Sequence, residues 1–173
     1  MKQNYVLFSN DENWGDVHFL DTVLSKAESI VLGSKIEKKE LKRFLKQLDK
    51  NSPDLEEFGS FLASFAFDSC CAFDGLLNFM IDGDVENLLL TSVSAINTVD
   101  MFVQEKGDLE PNDSLLESKI ANDDFMIAEE NRQRMLISEL KKHPTITEIV
   151  LNQLKQINRN GENLVDLDLI NLS

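Results

Sequence analysis

Histidine, cysteine, proline and glycine are all scarce in this chain of 173 residues, and each scarcity excludes something. Only two His are present, His18 and His143, which leaves few parts for imidazole catalysis. The two Cys, Cys70 and Cys71, are adjacent and have no third thiol to bridge, so a disulfide scaffold is excluded. Free thiols in an apolar segment act as small hydrophobes and suit a reducing compartment, so a cytoplasmic location is expected. Three Pro and seven Gly are too few for a turn-rich β protein and favour helices. No apolar run approaches the ~18 residues of a membrane-spanning helix. Residues 1–10 carry one Lys and no small-residue cleavage site, so no signal peptide is expected. A Gly-rich phosphate loop, HExxH and CxxC are all lacking. The reading is therefore not an enzyme, with no cofactor and no metal.

What is abundant is negative charge. Asp and Glu number 31 against 17 Lys and Arg, a net charge of −14. The excess is uneven. Residues 26–50 hold eight bases and four acids, a net of +4, whereas residues 51–131 hold 18 acids and two bases, a net of −16. A field of that sign repels nucleic acid and anionic membrane, so neither is expected as a partner. It attracts a basic protein and speeds the encounter.

Hydrophobic spacing predicts an all-α, single-domain bundle over 1–173, of about six helices. The first runs from Asp16 to Leu32 and buries Phe19, Leu20, Val23, Leu24, Ala27 and Val31. The second, from about Lys35 to Lys50, buries Ile36, Leu41, Phe44, Leu45 and Leu48 and turns its cations outward. The third starts at an N-cap Ser52 with Pro53 behind it and ends at Asp82-Gly83. Its apolar residues lie nearly all round, which marks it as the central helix. The fourth spans Val85 to Glu105, with small residues Ser92, Ser94 and Ala95 and a stop at Gly107. The fifth runs from a capping box at Ser114 and Glu117 to about Lys142, and the sixth from Thr145 to Asn160-Gly161. Tyr5 to Phe8 is β-prone, and Val165, Leu167 and Leu169 alternate with Asp166 and Asp168, so both ends are expected to be short extended segments.

Carboxylates are the remaining candidates for chemistry. Asp68 interrupts an apolar helix and needs a partner, which Arg132 or Arg134 can supply. Glu129-Glu130 with Asp123-Asp124 has the look of a helical metal site, but that site pairs Glu with His at i, i+3 and no His stands there. His18 and His143 read as structural.

From Asp54 onward the sequence resembles the YjaG-like family of bacterial proteins of unknown function. The run Phe67-Asp68-Ser69-Cys70-Cys71-Ala72 with Leu76-Leu77 carries the likeness, followed by the stretch from Ser92 to Met101. Asn112-Asp113, Leu116, Glu117, the segment Glu129 to Leu136 and Gly161-Glu162-Asn163 extend it. The first fifty residues match the pattern poorly. The resemblance implies an all-helical fold in a bacterial cytoplasm, carries no activity, and suggests a divergent paralogue.

An acidic domain without a catalytic constellation is expected to be a binding module. The expected function is a cytoplasmic immunity protein that neutralises a basic toxin, of nuclease type as in contact-dependent growth inhibition, by filling its cationic cleft. The contact residues expected are Asp108, Glu110, Asp113, Glu117, Asp123, Asp124, Glu129 and Glu130. The alternative is a small regulatory or scaffold protein, a homodimer through the small-residue face of the fourth helix.

Overall fold

The computed structural model describes residues 2–159, and every regular element among them is a helix. There are eight: α1 Lys2–Glu12, α2 Val17–Val31, α3 Lys38–Lys50, α4 Phe61–Asp82, α5 Glu86–Lys106, α6 Leu116–Ala121, α7 Asp124–Leu140 and α8 Glu148–Arg159. The all-α expectation holds. The two helices beyond six come from the N-terminus and from a break in the expected fifth helix. Two compact units form, the first closing at Ala95 and the second opening at Ile96, within α5.

In the first unit α4 is the hub, and α1, α2 and α3 pack on it. Eleven of its 22 residues are buried, including Phe65, Cys70, Phe73 and Leu77, as its all-round apolar sequence requires. Its start differs from expectation. Ser60 caps it, accepting from the Ala63 N–H at 3.3 Å, while Asp54 takes the Glu56 N–H at 2.9 Å and folds residues 54–58 into a turn. The turn releases Phe58 from the helix to meet Phe8 and Trp14, each with ring centroids 5.3 Å away. At the far end Gly83 adopts φ 78° and closes α4 in the left-handed conformation.

Tyr5 to Phe8 is helical, not extended. Tyr5 and Phe8 lie three positions apart, on one helical face, and both are fully buried. Aromatic side chains prefer strands only where a pleated surface receives them, and here the receiving surface is a helix. The alternating segment Val165 to Leu169 and the stop at Gly161 lie outside the described residues.

The expected faces of α2 and α3 are largely met: Phe19, Leu20, Val23, Ala27, Leu41, Phe44 and Leu48 are buried, while Val31 is exposed. Asp16 caps α2 by accepting from Phe19 N–H at 3.0 Å. In α5 the apolar spacing is helical, but Leu89 and Val93, like Val85 just before the helix, are exposed, and full burial begins only at Ser94 and Ala95. The small-residue face expected to meet a twin is thus already covered at those two positions. α5 approaches α4 closely at Gly75, where an added Cβ would lie 2.4 Å from the Asn87 carbonyl oxygen. Thr91 Oγ1 donates to the Ala72 carbonyl in the same contact.

In the second unit α7 packs on α6 and α8. Phe102 of α5 meets Phe125 of α7 with ring centroids 4.9 Å apart. The expected fifth helix is broken at Asn122-Asp123. Asn122 Nδ2 donates to the Ser118 carbonyl at 2.6 Å and finishes α6, and Asp123 accepts from the Phe125 N–H at 2.9 Å and starts α7. Short polar side chains that satisfy helix-end groups compete with a continuous helix, and here they win. The expected capping box does not form: α6 has no side-chain cap, and Asp113, not Ser114, accepts from the Leu115 N–H at 2.8 Å. At α8 the capping hydroxyl is Thr147, which accepts from Val150 N–H at 3.3 Å, and not Thr145.

Candidate functional site

The eight acids singled out from sequence all belong to the second unit, between the end of α5 and the middle of α7. The chain leaves α5 through Asp108, which takes the left-handed conformation at φ 45° expected of Gly107. Asp tolerates that region better than most residues. At Gly107 an added Cβ would crowd the Leu109 side chain at 3.0 Å and the Val103 carbonyl oxygen at 3.1 Å. The Leu109 N–H returns to the Gln104 carbonyl at 3.0 Å and locks the exit.

Four of the eight are occupied by partners. Asp113 accepts from Lys119 Nζ at 2.6 Å as well as from the Leu115 N–H. The lysine bond, and then the backbone bond, hold its carboxyl below the usual range. Asp123 caps α7 and also receives Lys106 Nζ at 3.0 Å, and that ammonium stands 4.5 Å above the Phe125 ring. Glu130 meets Arg134 at 2.7 Å on the solvent side of α7.

Glu129 is a correction. It is 2% exposed, so it cannot touch a partner protein. Both of its oxygens receive Arg132, the Nε bond measuring 2.7 Å, and Gln133 Nε2 adds a third donor at 2.7 Å. Arg132 also donates to Asn158 Oδ1, so the cluster ties α7 to α8. Glu129 and Glu130, neighbours in sequence, point to opposite environments, as a 100° step per residue dictates.

Asp108, Glu110, Glu117 and Asp124 are exposed, and no ion pair engages them among the described residues. Leu115, 60% exposed, stands in the same stretch between Asp113 and Glu117. Sequence reasoning passed over Leu115, because it reads as the first apolar position of a helix. The eight acids therefore reduce to four free carboxylates, and the apolar side chain among them was not foreseen.

The other candidates stand on α4 and just past the end of α7. Asp68 is buried, but of the arginines expected to serve it Arg132 pairs with Glu129 and Arg134 with Glu130. Cys70 is buried and its Sγ–H faces the Asn51 carbonyl at 3.6 Å. Burial pushes its pKa up to about 12, and burial with the charges of Asp68 and Asp74 raises Cys71 too, so both remain thiols at neutral pH. His143 meets Glu139 at 3.3 Å, and Lys142, then His143, draws that carboxyl down. No group of three or more metal-ligating side chains occurs among the described residues. No helix among them is long and apolar enough to cross a membrane.

No curated protein matches the chain. Among solved structures, a DUF416 family protein from Shewanella baltica OS155 matches with a TM-score of 0.81 at 24% identity, over 95% of this chain and 84% of that one. At that identity the likeness shows the fold. The expectation of a helical family of unknown function holds, and the chain belongs to the DUF416 family, described as a protein of unknown function, whose model matches residues 1–163.

Proposed function

We propose that this chain is a binding protein, not a catalyst, and that its partner is a basic protein. One observation carries the reading: exposed Leu115 stands in a stretch whose carboxylates Asp108, Glu110, Glu117 and Asp124 are exposed and engaged by no ion pair among the described residues. An apolar side chain in a polar, solvent-accessible stretch suits an interface with an apolar core and a polar rim. In its specific form the reading is a cytoplasmic immunity protein. The acidic surface steers the chain to a basic toxin, of nuclease type, and blocks its phosphate-binding cleft.

The test is affinity capture from the native bacterium with the full chain as bait, followed by purified binding. A stoichiometric basic protein encoded next to this gene, whose toxicity is relieved by co-expression, supports the reading. E117K/D124K should then slow association and flatten its salt dependence, and L115A should speed dissociation. If only the bait returns, the reading fails.

A second reading rests on α5. Val85 at its threshold and Leu89 and Val93 within it are 65%, 59% and 48% exposed at a spacing of four and form an apolar row. A regulatory or scaffold homodimer would bury that row. Sedimentation of the purified chain separates the two readings, since the first requires a monomer in the absence of its partner.

A further inference from the structure

α3 runs against the charge of the rest of the chain. Leu41, Phe44 and Leu48 are buried, and the opposite face carries Lys38, Lys39, Lys42, Arg43, Lys46 and Lys50, all exposed. Asp49 is the single exposed acid among them within the helix. None of the six cations forms an ion pair among the described residues, and the nearby Glu40 is already taken by Lys26 at 3.4 Å. The row extends over 13 residues, or about 20 Å of helix.

α2 and α3 form a hairpin. Phe19 meets Phe44 with centroids 6.0 Å apart, and the Lys26–Glu40 pair lies nearer the turn. The turn itself is built, with Gly33 at φ 96° and the Gly33 and Ser34 N–H groups bonded at 2.9 Å to Ile30 and Ser29 carbonyls. At this tip Val31 is 51% and Leu32 43% exposed, four or fewer residues from Lys35. The hairpin thus presents two aliphatic side chains at one end of a cationic row.

We propose that the α2–α3 hairpin docks on an anionic phospholipid surface, with Val31 and Leu32 entering the headgroup layer and the α3 cations lying over the lipid phosphates. This inference does not rest on the acidic-surface reading. The net charge of −14 argues against membrane contact only at long range. Screening at physiological salt confines each charge to about 8 Å, so the local sign of α3 governs close approach. The row favours lipid over nucleic acid on two counts. Five of its six cations are Lys, which act as point charges, where nucleic-acid recognition favours the Arg fork. The exposed apolar residues beside it are aliphatic, suited to acyl chains, where single-stranded nucleic acid asks for aromatic stacking platforms.

The experiment is flotation of the full chain with vesicles of phosphatidylglycerol mixed equally with phosphatidylcholine, against vesicles of phosphatidylcholine alone. Binding to the anionic vesicles only is expected, with release as ionic strength approaches about 1 M, where screening shortens to about 3 Å. K39E/K42E/K46E should lower the affinity more than about tenfold. V31S/L32S should lower it several-fold while leaving the preference for anionic vesicles. The salt release, read on the unmodified chain, is independent of how any variant folds. Equal binding to both vesicles, no binding to either, or an unaffected triple variant overturns the proposal. Capture of single-stranded RNA with no vesicle binding overturns it in favour of nucleic acid.

Discussion

The Tyr5 hydroxyl donates to the backbone carbonyl of Asn51 at 2.8 Å, and so fastens the first helix to the end of the third. The same oxygen accepts from the Asp16 N–H at 3.3 Å. The ring is fully buried, and Gly15 at φ 87° lets the chain pass over it, since a Cβ there would lie 2.3 Å from the hydroxyl. Tyr5→Phe keeps the ring and removes both bonds, leaving the part-buried Asn51 carbonyl with only the weak Cys70 S–H contact. A loss of about 1–3 kcal/mol is expected, read as a lower urea midpoint with an unchanged slope.

Alkaline pH acts on the same region. Burial pushes Tyr5 from 10.0 up to about 12 and Cys70 from 9.0 up to about 12, and Cys71 moves in the same direction. The folded state therefore holds these protons more tightly than the unfolded state. The stability they contribute is complete below pH 9 and is lost as pH rises from 9 to 12. Urea curves at successive pH values should show this decline, and Tyr5→Phe should remove the part that begins near 10. A flat profile to pH 12 would contradict the raised pKa of both groups.

Gly75 should be irreplaceable for packing reasons alone. A Cβ would meet the Asn87 carbonyl oxygen at 2.4 Å and the Leu90 Cβ at 3.0 Å, and backbone cannot give way as a flexible side-chain end can. Gly75→Ala should cost about 1–3 kcal/mol through overpacking, although Ala is the better helix former. Gly59, with no neighbour within 4 Å and no left-handed φ, is the control, and Gly59→Ala should stay within about 0.5 kcal/mol. Thermal melts of the two variants compare them directly.

The helical class and most core faces were legible because 3.6-residue spacing is a local signal, and Phe19, Val23, Phe44, Leu48, Phe65 and Phe73 stand where it puts them. What was not legible depends on partners far away in sequence. Tyr5 and Phe8 are β-prone by type and helical because α4 receives them. Phe58 reads as the first apolar position after the opening turn of a helix, and it leaves the helix for Phe8 and Trp14. Asn122-Asp123 carried a local signal for a break, and the apolar periodicity on either side concealed it. In the candidate site the acids were visible as residue types, but periodicity does not say which meet a cation. Only Glu130–Arg134, four apart, and Glu129–Arg132, three apart, announce their pairs by helical spacing, whereas Asp113–Lys119 and Asp123–Lys106 do not.

Glu129 and Glu130 offer the sharpest contrast, because adjacent carboxylates should respond to one substitution by very different amounts. Glu129 is buried and holds Arg132 and Gln133. Glu129→Gln keeps the shape but removes the charge, leaving the Arg132 guanidinium facing a neutral group in a half-buried site. A loss of about 3 kcal/mol is expected. Glu130→Gln breaks an exposed pair and should cost about 0.3–0.5 kcal/mol at most. E129L/R132M should recover part of the loss, since an apolar pair of similar volume replaces a desolvated ionic one. Chemical denaturation of the three variants decides this. It also decides how interface variants are read: a binding defect in Glu129→Gln accompanied by lost stability reports a loosened α7–α8 contact. A defect in E117K/D124K at unchanged stability reports the contact surface itself.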